Sequence, residues 1–217
     1  MSGIFVAVFS VIAAVCLVRL IALISKRLSL HIAITKLDRI EGVEVRVLRS
    51  PIASLFSTGA QPSYAVRIGS GIYYVRLYNG RGTGKVVHFA SREFTVRFSR
   101  LVTASYSRSR GGKRLRGFSR GVSVGSKVII LPPLSIPADH PEGCTAYPVM
   151  IFNPAPGEVS YVTEERTRIE VAFTGDEIYG ARIFTKTTFL NFVDRMSRGA
   201  VFVPKDVYVF DDIYNKR

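Results

Sequence analysis

A chain of 217 residues that is 47% hydrophobic is long enough for one domain with a real core plus an appendage. Its two cysteines, Cys16 in an apolar leader and Cys144 in a loop, exclude a disulfide-stapled scaffold and agree with a reducing compartment. The net charge of +14 is uneven: residues 1–140 hold 21 Lys+Arg against 5 Asp+Glu, which is +16, and residues 141–217 hold 9 against 11, which is −2. Such asymmetry implies an anionic partner for the front half and says nothing about the fold.

Ile4 to Ile24 reads IFVAVFSVIAAVCLVRLIALI, with Ser10 and Arg19 as its only polar side chains. As a helix rising about 1.5 Å per residue, that run covers roughly 31 Å, the thickness of a bilayer's hydrocarbon core. Arg19 lies close enough to the end to snorkel toward the headgroups. A secretory signal peptide has positive charge before its apolar run and small residues after it. Here no Lys or Arg precedes the run and Ser25-Lys26-Arg27-Leu28 follows it, so residues 4–24 are read as a transmembrane helix. Arg19, Lys26, Arg27, Lys36 and Arg39 gather at or beyond its C-terminal end. The positive-inside rule then predicts the N-terminus outside and the C-terminal domain in the cytoplasm.

Residues 25–40, with Leu28, Leu30, Ile32, Ile34 and Leu37 in a mixed pattern, are read as a juxtamembrane linker that can also continue the helix. Residues 41–98 form a β-rich first half. Val43, Val45 and Val47 alternate with charges, and Tyr64–Ile68 and Ile72–Tyr78 make a hairpin around a three-residue Gly69-Ser70-Gly71 turn. Lys85–Phe89 and the Phe94, Val96, Phe98 alternation add two strands. Residues 99–127, rich in Gly, Ser and Arg, are read as a basic mobile loop.

An α/β second half, residues 128–210, opens with a short strand at Val128–Leu131. It continues through the buried-type strand Val149–Phe152 and two strands at Val159–Val162 and Ile169–Phe173. Thr185 caps a helix through Ser197 that Gly199 stops, and Val201–Phe210 is strand-like. A polar tail, residues 211–217, ends the chain. The fold class expected is a strand-rich α+β cytoplasmic domain of about eight strands and one clear helix, behind one transmembrane helix.

Three stretches invite chemistry. NGRGTGK, Asn79–Lys85, lacks the first glycine and the final hydroxyl of a phosphate loop, and no helix follows, so it reads as a connecting turn. Asp139, His140, Glu142 and Cys144 are metal-capable, but their spacing matches no common zinc pattern and reads as a solvated loop. Asp176-Glu177 is a hydrated turn pair, and no G-x-S-x-G nucleophile motif occurs. No catalytic residue, cofactor or metal ligand is assigned.

The stretch SYAVRIGSGIYYVRLYNGRGTGKV resembles the central hairpin of the NERD (nuclease-related) domains, a branch of the restriction-endonuclease-like fold. Those domains place an Asp before a Gly-rich turn, E-x-K on the returning strand, then an Asn and a Gly-containing turn. Aligned on Tyr73, Asn79 and Gly80, the family's Asp falls at Ser63, its Glu at Arg76 and its Lys at Tyr78. The order of elements from Val149 to Met196 is similar as well, and many family members carry an N-terminal span. The resemblance implies a phosphate-approaching scaffold in which hydrolysis is absent, because serine and arginine cannot replace the carboxylates that hold a divalent cation. Restoring that chemistry requires acids from elsewhere, such as Glu44, Asp139 or Asp176.

The basic stretch has Arg100, Arg108, Arg110, Lys113, Arg114, Arg116 and Arg120 as anion-binding candidates, with Tyr106 and Phe118 able to stack on bases. Near an anionic leaflet each Lys or Arg contributes on the order of 1 kcal/mol, fading over a Debye length of about 8 Å. The sequence therefore points to a single-pass, non-catalytic binding or scaffolding protein. Its partners are the bilayer and, through residues 99–127, anionic lipid headgroups, nucleic acid or an acidic protein. The alternative is a nuclease-like or nucleic-acid-binding protein.

Overall fold

Without proline, and without glycine beyond Gly3, the apolar leader has nothing to stop it as a helix, and it runs well past its apolar part. In the computed structural model, which describes residues 2–51, 53, 60–78, 85–89, 95–100, 106–108, 114–116, 127–162 and 169–200, α1 spans Ser2–Thr35. A 3-10 turn over Lys36–Arg39 follows directly. The helix has two parts with different environments. Phe5 to Leu23 is exposed on every side, whereas Leu30 and Ile34, one turn apart, are 1% and 0% exposed. Residues 25–40, expected as a linker, are thus largely helical and continuous with the core. The i, i+4 apolar pair, completed by Leu37, gave the local pattern a burial target that composition did not reveal.

The remaining elements form a strand-rich α+β arrangement. In chain order they are β1 (Val43–Val47), β2 (Tyr64–Ile68), β3 (Gly71–Tyr78), β4 (Lys85–Phe89), β5 (Thr95–Arg100), β6 (Tyr106–Arg108) and β7 (Arg114–Arg116). There follow β8 (Lys127–Ile130), β9 (Thr145–Phe152), β10 (Glu158–Val162), β11 (Ile169–Val171), β12 (Glu177–Ile178), β13 (Ala181–Thr185) and α2 (Lys186–Ser197). One six-stranded sheet has the order β1-β2-β3-β9-β13-β12, and a five-stranded sheet has the order β11-β10-β4-β5-β8. β9 runs parallel to both β3 and β13 at the centre of the larger sheet, which is where its near-continuous apolar run belongs.

Alternation along these strands feeds two cores. Tyr64, Val66, Tyr73, Val75, Val149, Ile151 and Phe184 face α2 and the last turns of α1. Met150, Phe152 and Ile183 face the other way, onto Val87 and Phe89 of β4 and Val159 of β10. The order of layers is therefore helices, large sheet, small sheet.

Several expectations hold at the residue level. β2, β3, β4, β8 and β10 lie where alternation placed them, and Thr185 caps α2 as read. Its hydroxyl accepts from Thr188 N at 3.3 Å while Thr188 Oγ1 accepts from Thr185 N at 2.9 Å. Gly199, at φ 72°, ends the helix in the left-handed region. The hairpin turn is tighter than expected. Ile68 pairs with Gly71, leaving only Gly69 (φ 58°) and Ser70 in the loop. Gly71 belongs to the strand through its pairing with Ile68 and Thr145, and a Cβ there would meet the Tyr147 ring at 3.1 Å.

Others are corrected. Residues 99–127 are not one loop: β5 extends to Arg100, and β6 pairs antiparallel with β7 inside the stretch. Dense Arg and Ser hid a two-residue alternation too short to register as a strand. Among the described residues there are thirteen strands where about eight were expected, β6, β7, β12 and β13 being among those not foreseen. β3 and β4 lie in different sheets, and residues 79–84, read as a connecting turn between them, lie outside the described residues. The strand expected at Val201–Phe210 and the tail at 211–217 lie outside the described residues.

Candidate functional site

The junction between α1 and the sheets is built from three elements. Lys26 presents its backbone carbonyl to Asn153 Nδ2 at 3.3 Å, just after β9, and Lys186 Nζ, at the start of α2, donates to Ser29 Oγ at 3.1 Å. Tyr64 of β2, fully buried, brings its hydroxyl within 3.2 Å of His31 Nδ1, with the two rings 5.9 Å apart. Burial pushes the Tyr64 phenol up to about 12, against an opposing pull from the Arg27 guanidinium, and burial lowers Arg27 in turn.

This has a consequence in alkali. A phenol raised from 10 to about 12 favours the neutral form in the folded chain, so its stabilising contribution is whole below pH 10 and is lost as pH rises from 10 to about 12. Tyr161, whose hydroxyl donates to Glu170 at 2.9 Å, is raised to about 12 as well and titrates in the same window. The melting temperature is expected to fall across that window, and Tyr64→Phe is expected to remove part of the fall. An unchanged slope in Tyr64→Phe contradicts the assignment.

The three positions suggested by the nuclease resemblance lie along and beside β3. Ser63 is buried and acts through its main chain, donating to Val75 O at 2.8 Å and accepting from Leu48 N at 3.0 Å. Arg76 and Tyr78 do share one strand face, the one toward the smaller sheet. Arg76 is only 6% exposed, donates from Nη1 to Pro132 O at 2.7 Å, and has its pKa lowered by desolvation. It borders a cavity of about 90 Å³ together with Pro133, Leu134, Met150, Tyr179 and Ala181. Tyr78 packs edge-on against Phe152, with ring centroids 5.5 Å apart. A guanidinium only donates hydrogen bonds and neither accepts a proton nor binds a cation. Arg76 therefore ties the Pro132-Pro133 turn to the sheet.

The acids that could restore hydrolysis are held apart by different partners. Glu44 lies 3.8 Å from Arg67, Asp139 lies 3.0 Å from Arg46, and Asp176 Oδ2 accepts from Phe173 N at 2.7 Å. Among the described residues no three His, Cys, Asp or Glu side chains come together to hold a metal ion. Both ring nitrogens of His140 are used, one within its loop and one toward β3. Its Nε2–H donates to Cys144 O at 2.9 Å, which leaves Nδ1 to accept from the Tyr74 hydroxyl at 2.9 Å.

Of the cationic candidates, Arg100 ends β5, Arg108 ends β6, and Arg114 and Arg116 bound β7, while Tyr106 begins β6. The register sets Arg108 directly opposite Arg114 and Tyr106 opposite Arg116. Arg110, Lys113, Phe118 and Arg120 lie outside the described residues. The helix–sheet junction has no local sequence signal, because its members come from positions 26–31, 64, 153 and 186 and only packing unites them.

No family matches. Neither protein-family models, nor curated proteins, nor solved structures yield a match to this chain.

Proposed function

We propose that the protein is a single-pass, membrane-anchored, non-catalytic binding protein. In this reading residues 4–24 cross the bilayer with the N-terminus outside, and the two sheets lie in the cytoplasm. The cationic stretch from Arg100 to Arg120 faces anionic lipid headgroups. One observation carries the reading: α1 is long and apolar enough to cross a membrane, and its apolar window is 0% buried against the rest of the chain. From Phe5 to Leu23, twelve large apolar side chains are at least 41% exposed. At about 1.5 kcal/mol each, moving them from water into hydrocarbon is worth roughly 18 kcal/mol.

A helix buried in a soluble core does not leave that surface bare. A cleavable leader is disfavoured by the unbroken helix through Ser25–Leu28 and by the docking of the same helix, at Leu30 and Ile34, into the core. The basic cluster Arg19, Lys26 and Arg27 supports the orientation.

The charge around the β6–β7 hairpin supports an anionic partner. Between Glu93 and Asp139 the sequence has nine Lys and Arg and no acid, and an anionic partner offsets that concentration of like charge. In a chain held at a bilayer, headgroups are the nearest anions.

The test is tryptic cleavage at Arg108–Arg120 of the full chain, in vesicles of phosphatidylcholine alone and with added phosphatidylglycerol. Cleavage is expected to slow in the anionic vesicles and to recover in high salt. Equal rates in both vesicles, with protection by single-stranded RNA instead, overturn the lipid assignment.

A further inference from the structure

The geometry of the junction fixes how the domain sits once α1 is in a bilayer. A bilayer is about 30 Å thick across its hydrocarbon and about 40–45 Å with headgroups, leaving a polar layer of roughly 5–7.5 Å per leaflet. At about 1.5 Å per residue, Lys26 lies roughly 3 Å past Ile24, Arg27 roughly 4.5 Å and Ser29 roughly 7.5 Å. All three are therefore at headgroup depth. No flexible tether intervenes, since the helix is continuous to Thr35 and is locked by buried Leu30 and Ile34. Whatever is bonded to those residues is carried to the same depth: Asn153 through the Lys26 carbonyl, and Lys186 through Ser29.

We propose that the end of the large sheet bearing Lys26, Arg27, Asn153 and Lys186 is embedded in the headgroup layer and binds phospholipid phosphate groups. This rests on the reading that α1 spans the membrane and adds a second, rigid contact to that of the cationic hairpin. The charges fit. Lys26 and Arg27 are adjacent on α1 and Lys186 bonds to Ser29 two residues on, and no acid occurs from Ser2 to Leu37; the first, Asp38, is about 21 Å along the chain from Ile24. A Lys ammonium has three donors, and Lys186 gives one to Ser29, so the others are available to phosphate oxygens. Fixed in this way, the large sheet stands on the membrane with the C-terminal ends of β3, β9 and β13 downward. The 136–144 loop, beside the N-terminal end of β9, is then held about 23 Å above the headgroups, the length of that strand.

The test uses the full chain reconstituted in vesicles of phosphatidylcholine and phosphatidylglycerol. Cys16→Ala and Cys144→Ala form the background. A fluorophore is attached at Thr187→Cys, beside Lys186, or at Glu142→Cys, at the far end; both positions are exposed. The quencher is a lipid spin-labelled on its headgroup. Quenching at position 187 is expected to be several-fold stronger than at 142, and Lys26→Glu with Lys186→Glu is expected to weaken it. Equal quenching at both positions in a chain that resists alkaline carbonate extraction overturns the headgroup contact alone. Release of the chain by carbonate overturns the anchor and the contact together. Undiminished quenching in the charge-reversed chain overturns the role of the two lysines.

Discussion

Arginine in place of both Ala13 and Ala14 is expected to release the chain from the membrane fraction. The two positions are at the middle of the apolar run, where each arginine costs about 2.5–3.5 kcal/mol on insertion and snorkelling reaches neither surface. Together the cost is roughly 5–7 kcal/mol, a large part of what holds a single span in hydrocarbon. Both residues are exposed and far from the sheets, so the fold of the remainder is expected to persist. The measurement is the fraction that pellets after an alkaline carbonate wash, with circular dichroism of the released chain as the check on folding. A double variant that stays in the pellet contradicts the anchor and everything that depends on it. The same substitutions separate two explanations of any lipid interaction, because a chain held only by its basic stretch would be unaffected by them and would leave the membrane in high salt.

The second large effect is on stability. Phe192→Ala is expected to destabilise the domain by about 3–5 kcal/mol, against a total that for a domain of this kind is about 5–15 kcal/mol. Phe192 is fully buried and joins three rings: Phe184 at 5.0 Å, Tyr73 edge-on at 5.2 Å and Phe189 at 6.2 Å. Removing it opens a cavity between α2 and the face of the large sheet that also receives α1, and neighbouring rings cannot collapse into it without leaving their own partners. On the opposite side of α2, Asp194→Asn breaks an exposed pair with Arg198 at 2.7 Å. That change is expected to cost less than about 1 kcal/mol. Urea unfolding of both variants in detergent tests the contrast. Similar midpoints for the two would show that α2 does not hold the core closed.

Much of the fold was legible in local pattern, and the reason is visible in particular elements. α2 carries its own start and stop: Thr185 and Thr188 satisfy the first backbone amides, Gly199 takes the left-handed turn, and Phe189, Phe192 and Val193 share one face. β9 is apolar throughout its second half because sheet neighbours and both cores surround it. Where local pattern was weak, reading failed. β12 and β13 are short and adjoin a Gly-Asp-Glu turn; β6 and β7 are three residues each, among arginines. Their strand character comes from pairing partners, which no window of sequence contains.

The candidate site was legible only in part. Arg76 stood out because it replaced an expected glutamate, and its neighbourhood of Pro132, Pro133 and Tyr179 became visible only in space. The junction residues gave less notice. His31, Tyr64, Asn153 and Lys186 carry no motif, and each is an ordinary surface or strand residue in its own context.

Local order along the chain was sufficient for the apolar helix, the basic stretch and most strands, because helix length, charge and alternation depend on neighbours within a few residues. It could not distinguish a flexible tether from a rigid stalk at residues 25–40. That distinction depends on Leu30 and Ile34 being buried in one cluster with Tyr64, Val66 and Phe192, residues supplied from β2 and α2 far along the chain. Burial is a property of the assembled layers, and it is burial that fixes this amphipathic turn of helix to the sheets.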